Sequence, residues 1–276
     1  MPKTKTTKTT KTTELHYFSF SSDVLIKSCP LPKEMIHSIN AKTHTLTIEA
    51  VQALSLSEYL KKTKKHMPYH DVEKMIHMIG KQLQRMETMD KGIASFNLDD
   101  ISVFYTHPPR GASRGASRGA SGSDTDTDGS ASDDTDDDDA ATTNDTATVI
   151  HFALTNDDKV CDFDDAEQQQ LKITTPYKPE YTSSSHKPGN NNKAFISPEF
   201  KDFISKKTLP YSIHFKSGYY SFGLLCAYCF VSKTAVAPAT NADVATALAP
   251  IIHTKIYWFL KRILDENPTA RRYLNS

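Results

Sequence analysis

The chain has 276 residues, 38% of them hydrophobic, and its 33 basic and 33 acidic side chains give a formal charge of zero. That length allows one medium domain or two small lobes. No concentrated Lys/Arg stripe marks a nucleic-acid binder, and no run approaches the 18 apolar residues of a membrane span.

The zero charge hides an asymmetry. Residues 110–148 hold ten Asp and three Arg, a net −7, so the rest of the chain carries +7. At the N-terminus, MPKTKTTKTTKTT lacks the apolar core of a secretory signal, and residues 1–13 read as a disordered Lys/Thr-rich tail. Four scattered cysteines, Cys29, Cys161, Cys226 and Cys229, suit a reducing intracellular setting, cytoplasm or nucleus. Cys226 and Cys229 form a C-x-x-C with no second Cys or His pair nearby, so they read as two small core residues one helical turn apart.

Within residues 14–53, the runs HYFSF, DVLIKSC and THTLTIEAV are short, bounded by polar residues or Pro, and rich in aromatic and β-branched side chains. They predict a small antiparallel sheet. Ser55 or Ser57 then caps a short helix, SEYLKKTKK. Over residues 71–89, Val72, Met75, Ile76, Ile79, Leu83 and Met86 form one continuous apolar stripe at helical spacing, and Gly92 reads as the stop behind it. ISVFYT alternates as a strand does. Residues 110–148, with RGAS three times in tandem and then an Asp/Thr/Ser/Gly tract, belong to no packed core. They read either as a disordered insertion tolerated in a surface hairpin or as an acidic interaction or phosphorylation tract. VIHFAL and KVCDF predict two strands joined by the turn 155–158. Residues 167–194 suit a mobile loop, and the chain from Ser197 onward reads as helical.

Two motifs give this plan a chemical meaning. KVCDFDDA at 159–166 is a strand running into an Asp-Phe-X turn, and FISPE at 195–199 follows 36 positions later with a Pro-Glu helix start. With FKSGYYSFGLL and NPTARRYL behind them, these parts resemble, in order, the C-terminal lobe of the protein kinase family. The resemblance implies an α+β fold with a reduced β-rich N-lobe at 14–53 and a mainly helical C-lobe at 54–276, interrupted by the acidic insertion. LTIEAVQALSLSEYL resembles the last N-lobe strand, the hinge and the first C-lobe helix, with Glu49 and Val51 as nucleotide-side hinge positions. Glu199 and Arg271 are implied as a buried structural ion pair, and Asp162 as the magnesium ligand. The Asp-Phe-Asp variant resembles kinases of large DNA viruses, which would place the protein in a host cell.

A kinase needs a Gly-rich cover over the phosphates, a Lys on them, metal ligands and a carboxylate facing the acceptor hydroxyl. The first glycine of this sequence is Gly80, so the Gly-rich cover is missing before it. Lys27, at the end of Val24-Leu25-Ile26-Lys27, is the candidate phosphate lysine, with Glu34 its sole candidate acidic partner; the plain alternative is a solvent-facing lysine. SFNL at 95–98 stands in for His-Arg-Asp-Leu, which puts Asn97 at the carboxylate position, where an amide accepts no proton. The loop is two residues short, so Asp100 falls at the metal-binding Asn and Asp99 is left as a substitute base. Gly218 replaces the Asp that supports the loop's backbone.

The expectation is therefore a pseudokinase that acts as a binding or regulatory scaffold for protein partners, with ATP and Mg²⁺ held weakly or not at all. The alternatives are an active atypical Ser/Thr kinase, a noncatalytic C-lobe module that binds helical peptides, and an unrelated α+β interaction protein.

Overall fold

The computed structural model of the chain describes residues 15–63, 66–107, 148–164, 169–176, 195–206, 208–231 and 241–273. The Lys/Thr segment 1–13, the acidic insertion up to residue 147 and residues 177–194 lie outside the described residues. The fold is a mixed one, in which small antiparallel sheets pack against helices.

The chain enters through β1 (His16–Ser21), α1 (Asp23–Ser28), β2 (Ile36–Asn40) and β3 (Thr45–Ala50), which build a three-stranded sheet of order β1-β3-β2. The expected sheet is there, but DVLIKS is not one of its strands. Ser22 caps the segment by accepting from the Leu25 N–H, Asp23 sits in the first turn, and Lys27 reaches back to Asp23 at i,i+4. A cap and two charges matched to the helix dipole outweigh the β-branched composition of so short a piece.

β4 (Gln52–Ser55) leads into α2 (Leu56–Lys62), which opens on a capping box between Ser55 and Glu58. α3 (Tyr69–Glu87) carries the Met-rich stripe, and Val72, Met75, Ile79 and Met86 are fully buried. Five short strands follow: β5 (Lys91–Ile93), β6 (Ser95–Phe96), β7 (Ile101–Thr106), β8 (Val149–Leu154) and β9 (Val160–Phe163). Gly92 is thus a strand residue and not a helix stop; a Cβ there would come within 2.7 Å of the Leu171 side chain. α3 is tied to β8 by the buried Gln82, whose amide donates to the Leu154 carbonyl at 3.1 Å and accepts from the Leu154 N–H at 2.8 Å.

β8 and β9 do not form a hairpin. β8 pairs with β7 in a sheet of order β4-β7-β8, while β9 crosses to pair with β5 on one side and with residues 171–172 on the other. The segment expected to be a mobile loop supplies β10 (Gln170–Ile173), and β12 (Tyr211–His214) interrupts the expected helical run. β11 (Phe195–Ile196) pairs with β6 and runs into α4 (Pro198–Lys206). α5 (Ser217–Phe230) is buried at every residue from Ser217 to Cys229 and forms the axis of the helical part, with α6 (Asn241–Leu248) and α7 (Lys255–Ile263) beyond it. Cys226 and Cys229 are fully buried in α5 with free thiols. Among the described residues, no helix is long and apolar enough to cross a membrane.

Candidate functional site

Pairing of β6 with β11 sets Phe96 opposite Phe195 and Ser95 opposite Ile196. The strand before Asn97 therefore lies beside the strand before Glu199, and two polar constellations grow from this junction.

The first is a buried ion pair. Both terminal nitrogens of Arg271 grip Glu199, one through the Nη1–Oε1 contact and the other from Nη2 to Oε2 at 3.0 Å. Ser217 Oγ donates to the same carboxylate at 2.7 Å. The remaining Arg271 donors reach the carbonyls of Asp265, Lys216 and Glu266, and the guanidinium lies 4.7 Å from the Tyr220 ring centre. Burial pushes the Glu199 carboxyl up, but the Arg271 guanidinium and Ser217 hydroxyl outweigh it and hold the group below its ordinary value. Seventy-odd residues apart in the chain, Glu199 and Arg271 fasten α4 to the segment behind α7.

The second constellation surrounds the turn 97–100, which joins β6 to β7. Asp100 is buried, and its Oδ2 accepts from the Asn97 backbone N–H at 2.6 Å and from Lys159 Nζ at 2.7 Å. Its Oδ1 accepts from Asn156 Nδ2 at 3.0 Å, and its own carbonyl takes the Thr155 N–H at 3.0 Å. Lys159 and Asp100 side chains are only 15% and 6% exposed, so water screens this pair little. Burial pushes the Asp100 carboxyl above its usual value, against the opposing pull of the Lys159 ammonium, the Asn97 N–H and the Asn156 amide. Lys159 and Asn156 reach Asp100 because the chain leaves β8 at residue 154 and crosses to β9 at 160, passing over the turn. Sequence reading did not single them out, and the only local signal was the polar run 155–159 between two strands.

The other expected site residues lie elsewhere. Lys27 is on α1, not on a strand, and its exposed ammonium pairs with Asp23 rather than Glu34. Glu49 is inside β3, opposite Tyr17, and its side chain lies 3.8 Å from His37. The backbone N–H of Val51, which a hinge would offer to a ligand, donates instead to the Tyr105 carbonyl at 2.8 Å. Asp99 is exposed beside the buried Asp100. Asp162 is in β9 opposite Lys91, with its side chain 68% exposed and paired with the Lys91 ammonium.

Magnesium is usually held by one or two carboxylates, with waters and phosphate oxygens completing its octahedron. Here the two carboxylates have separate lysine partners, and the ammonium of Lys159 already holds the Oδ2 side of Asp100. Among the described residues, no group of three His, Cys, Asp or Glu side chains is arranged to hold a metal.

Gly218 has a structural reason of its own. A Cβ at this position would lie 2.0 Å from the Ile93 carbonyl oxygen, so α5 touches the backbone just ahead of the 97–100 turn. Any side chain there, the Asp of the kinase pattern included, would force the Ile93 backbone to shift. Ser221 Oγ is the polar atom at this contact instead, its one hydroxyl proton shared between the Ser217 carbonyl at 3.0 Å and the Ala94 carbonyl at 3.3 Å. Gly218→Ala should cost about 1–3 kcal/mol through overpacking against rigid backbone, read as a lower urea midpoint at unchanged slope.

No protein-family model matches the sequence, and no curated protein matches it. Among solved structures, the chain is similar to a double mutant of the PknI kinase domain of Mycobacterium tuberculosis at TM-score 0.40 and 10% identity, over 89% of this chain and 69% of that one.

Proposed function

We propose that the chain is a noncatalytic, protein kinase-like scaffold that acts by binding protein partners, with a small β-rich lobe at 14–53 set on a mainly helical lobe at 54–276. The observation that carries the noncatalytic half is the Asp100–Lys159 pair. A phosphoryl-transfer site needs that carboxylate region for a metal and a base. Here an internal ammonium holds it, Asn97 brings an amide where proton acceptance is needed, and the Val51 N–H is spent on Tyr105. The kinase-like half rests on the order of motifs together with the Glu199–Arg271 clamp that ties the 195–199 motif to the one at 267–274. A strand, a helix and two further strands before residue 51 also fit a reduced N-lobe. In a kinase the phosphate lysine is carried by a strand of that lobe. The strand ahead of α1 reads HYFSFS and holds no lysine.

The test is a thermal-shift titration with ATP and Mg²⁺. A ligand at 100 times its Kd adds about 2.7 kcal/mol, a rise of several degrees. The expected result is no shift at millimolar ATP, with or without Mg²⁺. A Mg²⁺-dependent rise that disappears in Asp100→Asn would show a working nucleotide site, and transfer of phosphate from ATP to protein by the wild type would then overturn the noncatalytic reading in favour of an active atypical Ser/Thr kinase.

A further inference from the structure

The three-stranded sheet has two edges, and they differ. β2 is interrupted by a register shift between Ile36 and Ser38, and past Ile36 every residue is exposed. β1 is regular: all six residues pair with β3, from His16 opposite Ala50 to Ser21 opposite Thr45. Bulges, lysines and prolines are what proteins place on edge strands to prevent further pairing. The bulge guards β2, whereas HYFSFS carries no Lys, no Pro and no bulge, and its other edge pairs with no described strand.

The side chains add a second observation. On the inner face, Phe18 and Phe20 stand opposite the fully buried Ile48 and Leu46 yet are themselves only half-buried. Both pack on the core beneath, Phe18 edge-on to Phe104 at 6.3 Å, and keep a part-exposed flank at the sheet rim. On the outer face, Tyr17 is 59% exposed, and Ser19 and Ser21 pair with Thr47 and Thr45 through hydroxyls at 3.0 and 3.1 Å.

We infer that β1 is the pairing edge of a homodimer, in which two copies join β1 to β1 antiparallel about a two-fold axis at Ser19. Opposed residues in an antiparallel pair share a face, so only registers that match odd positions with odd preserve both faces. The register centred on Ser19 does so. It sets Phe18 against the second copy's Phe20 on the inner face, twice by symmetry, and Tyr17 against the second copy's Ser21 on the outer one. Aromatic cross-strand pairs are favourable, and a strand with no formal charge brings no like charges together at the axis. Two three-stranded sheets become one of six, and the rim phenylalanines are covered. A contact built on one six-residue strand falls in the small class of interfaces, below about 1,200 Å², so the dimer should be reversible. The inference is independent of whether the protein binds nucleotide.

The test uses the full chain in sedimentation velocity across micromolar to millimolar concentrations. The wild type should move from monomer to dimer mass as concentration rises. Ser19→Lys puts like charges opposite each other at the axis on an exposed position, so it should weaken dimerisation several-fold, whereas Thr47→Val, which removes the same exposed hydroxyl pair within the monomer, should not. Ser19→Cys should give a covalent dimer on mild oxidation, and Ser38→Cys on the guarded edge should not. A wild type that stays monomeric throughout, or a dimer indifferent to Ser19→Lys, would overturn the inference.

Discussion

Arg271→Ala is expected to lower the folding free energy by about 3–5 kcal/mol, the cost of leaving one member of a buried ion pair without the other. For a chain of this size that is roughly 6–20 °C in thermal midpoint. The reason lies in how completely the guanidinium is used. Arg271 is 0% exposed, and its donors reach Glu199, Asp265, Lys216 and Glu266. Truncation strands the Glu199 carboxylate beside Ser217 and removes donors from three carbonyls at once. Lysine is a poor substitute, because one ammonium cannot make a planar fork and satisfy three carbonyls. Glu199→Leu combined with Arg271→Met should cost less than the sum of the two single changes, because no charge is then left buried alone. The pair also sets a pH signature. The folded Glu199 carboxyl lies below its unfolded value, so its contribution is complete above about pH 4.3 and fades as pH falls through the folded value. Arg271→Ala should therefore flatten the acid limb of the stability profile as well as lower the plateau. A mutant within 1 kcal/mol of the wild type by denaturant titration would show that the clamp is not what holds α4 in place.

How much of this was legible in the sequence depended on whether the deciding interaction was local. The stripe from Val72 to Met86 repeats at helical spacing within one segment, so α3 could be read directly. Val24 to Lys27 could not be read by composition, because a single serine at position 22 and an Asp23–Lys27 pair decided the helix. The Asp-Phe pair at 162–163 drew a metal-ligand role to itself by motif alone. Its position was settled by a non-local choice, the pairing of β9 with β5 rather than with β8. That choice turned Asp162 toward Lys91 and solvent, and it brought Asn156 and Lys159 onto Asp100 instead. The expected hinge positions depend on a non-local contact too. Glu49 and Val51 are in the expected segment, but the Val51 N–H is committed to Tyr105, more than fifty residues away. A different non-local contact, α5 against β5, explains Gly218, whose missing side chain reads as a lost carboxylate until the Ile93 carbonyl is found in its place.

Lys159→Met carries the second large effect and separates a structural cation from an idle surface lysine. With the ammonium gone, Asp100 keeps the Asn97 N–H and the Asn156 amide but loses its counter-charge in a place water barely reaches. Leaving that carboxylate unpaired should cost about 3–5 kcal/mol. The loss should depend on pH in a direction fixed by the burial of Asp100. Burial already pushes this carboxyl up, and removing Lys159 removes the strongest opposing influence. The folded protein then binds a proton more readily than the unfolded chain does, so the mutant's deficit shrinks as pH is lowered toward 5 and grows toward neutrality. Adding Asp100→Asn to Lys159→Met removes the charge itself while keeping a group of the same shape, and should recover most of the stability at pH 7. Asp100→Asn alone leaves Lys159 as the unpaired partner, but its long stem can carry the ammonium to water, so the change should cost less than Lys159→Met. Urea titrations of the two single variants and the double variant at pH 5 and pH 7 give all of these numbers. Equal deficits at both pH values, or no recovery in the double variant, would mean that Lys159 stabilises the turn by packing alone. In that case the ion pair with Asp100 would no longer account for the stability of the turn.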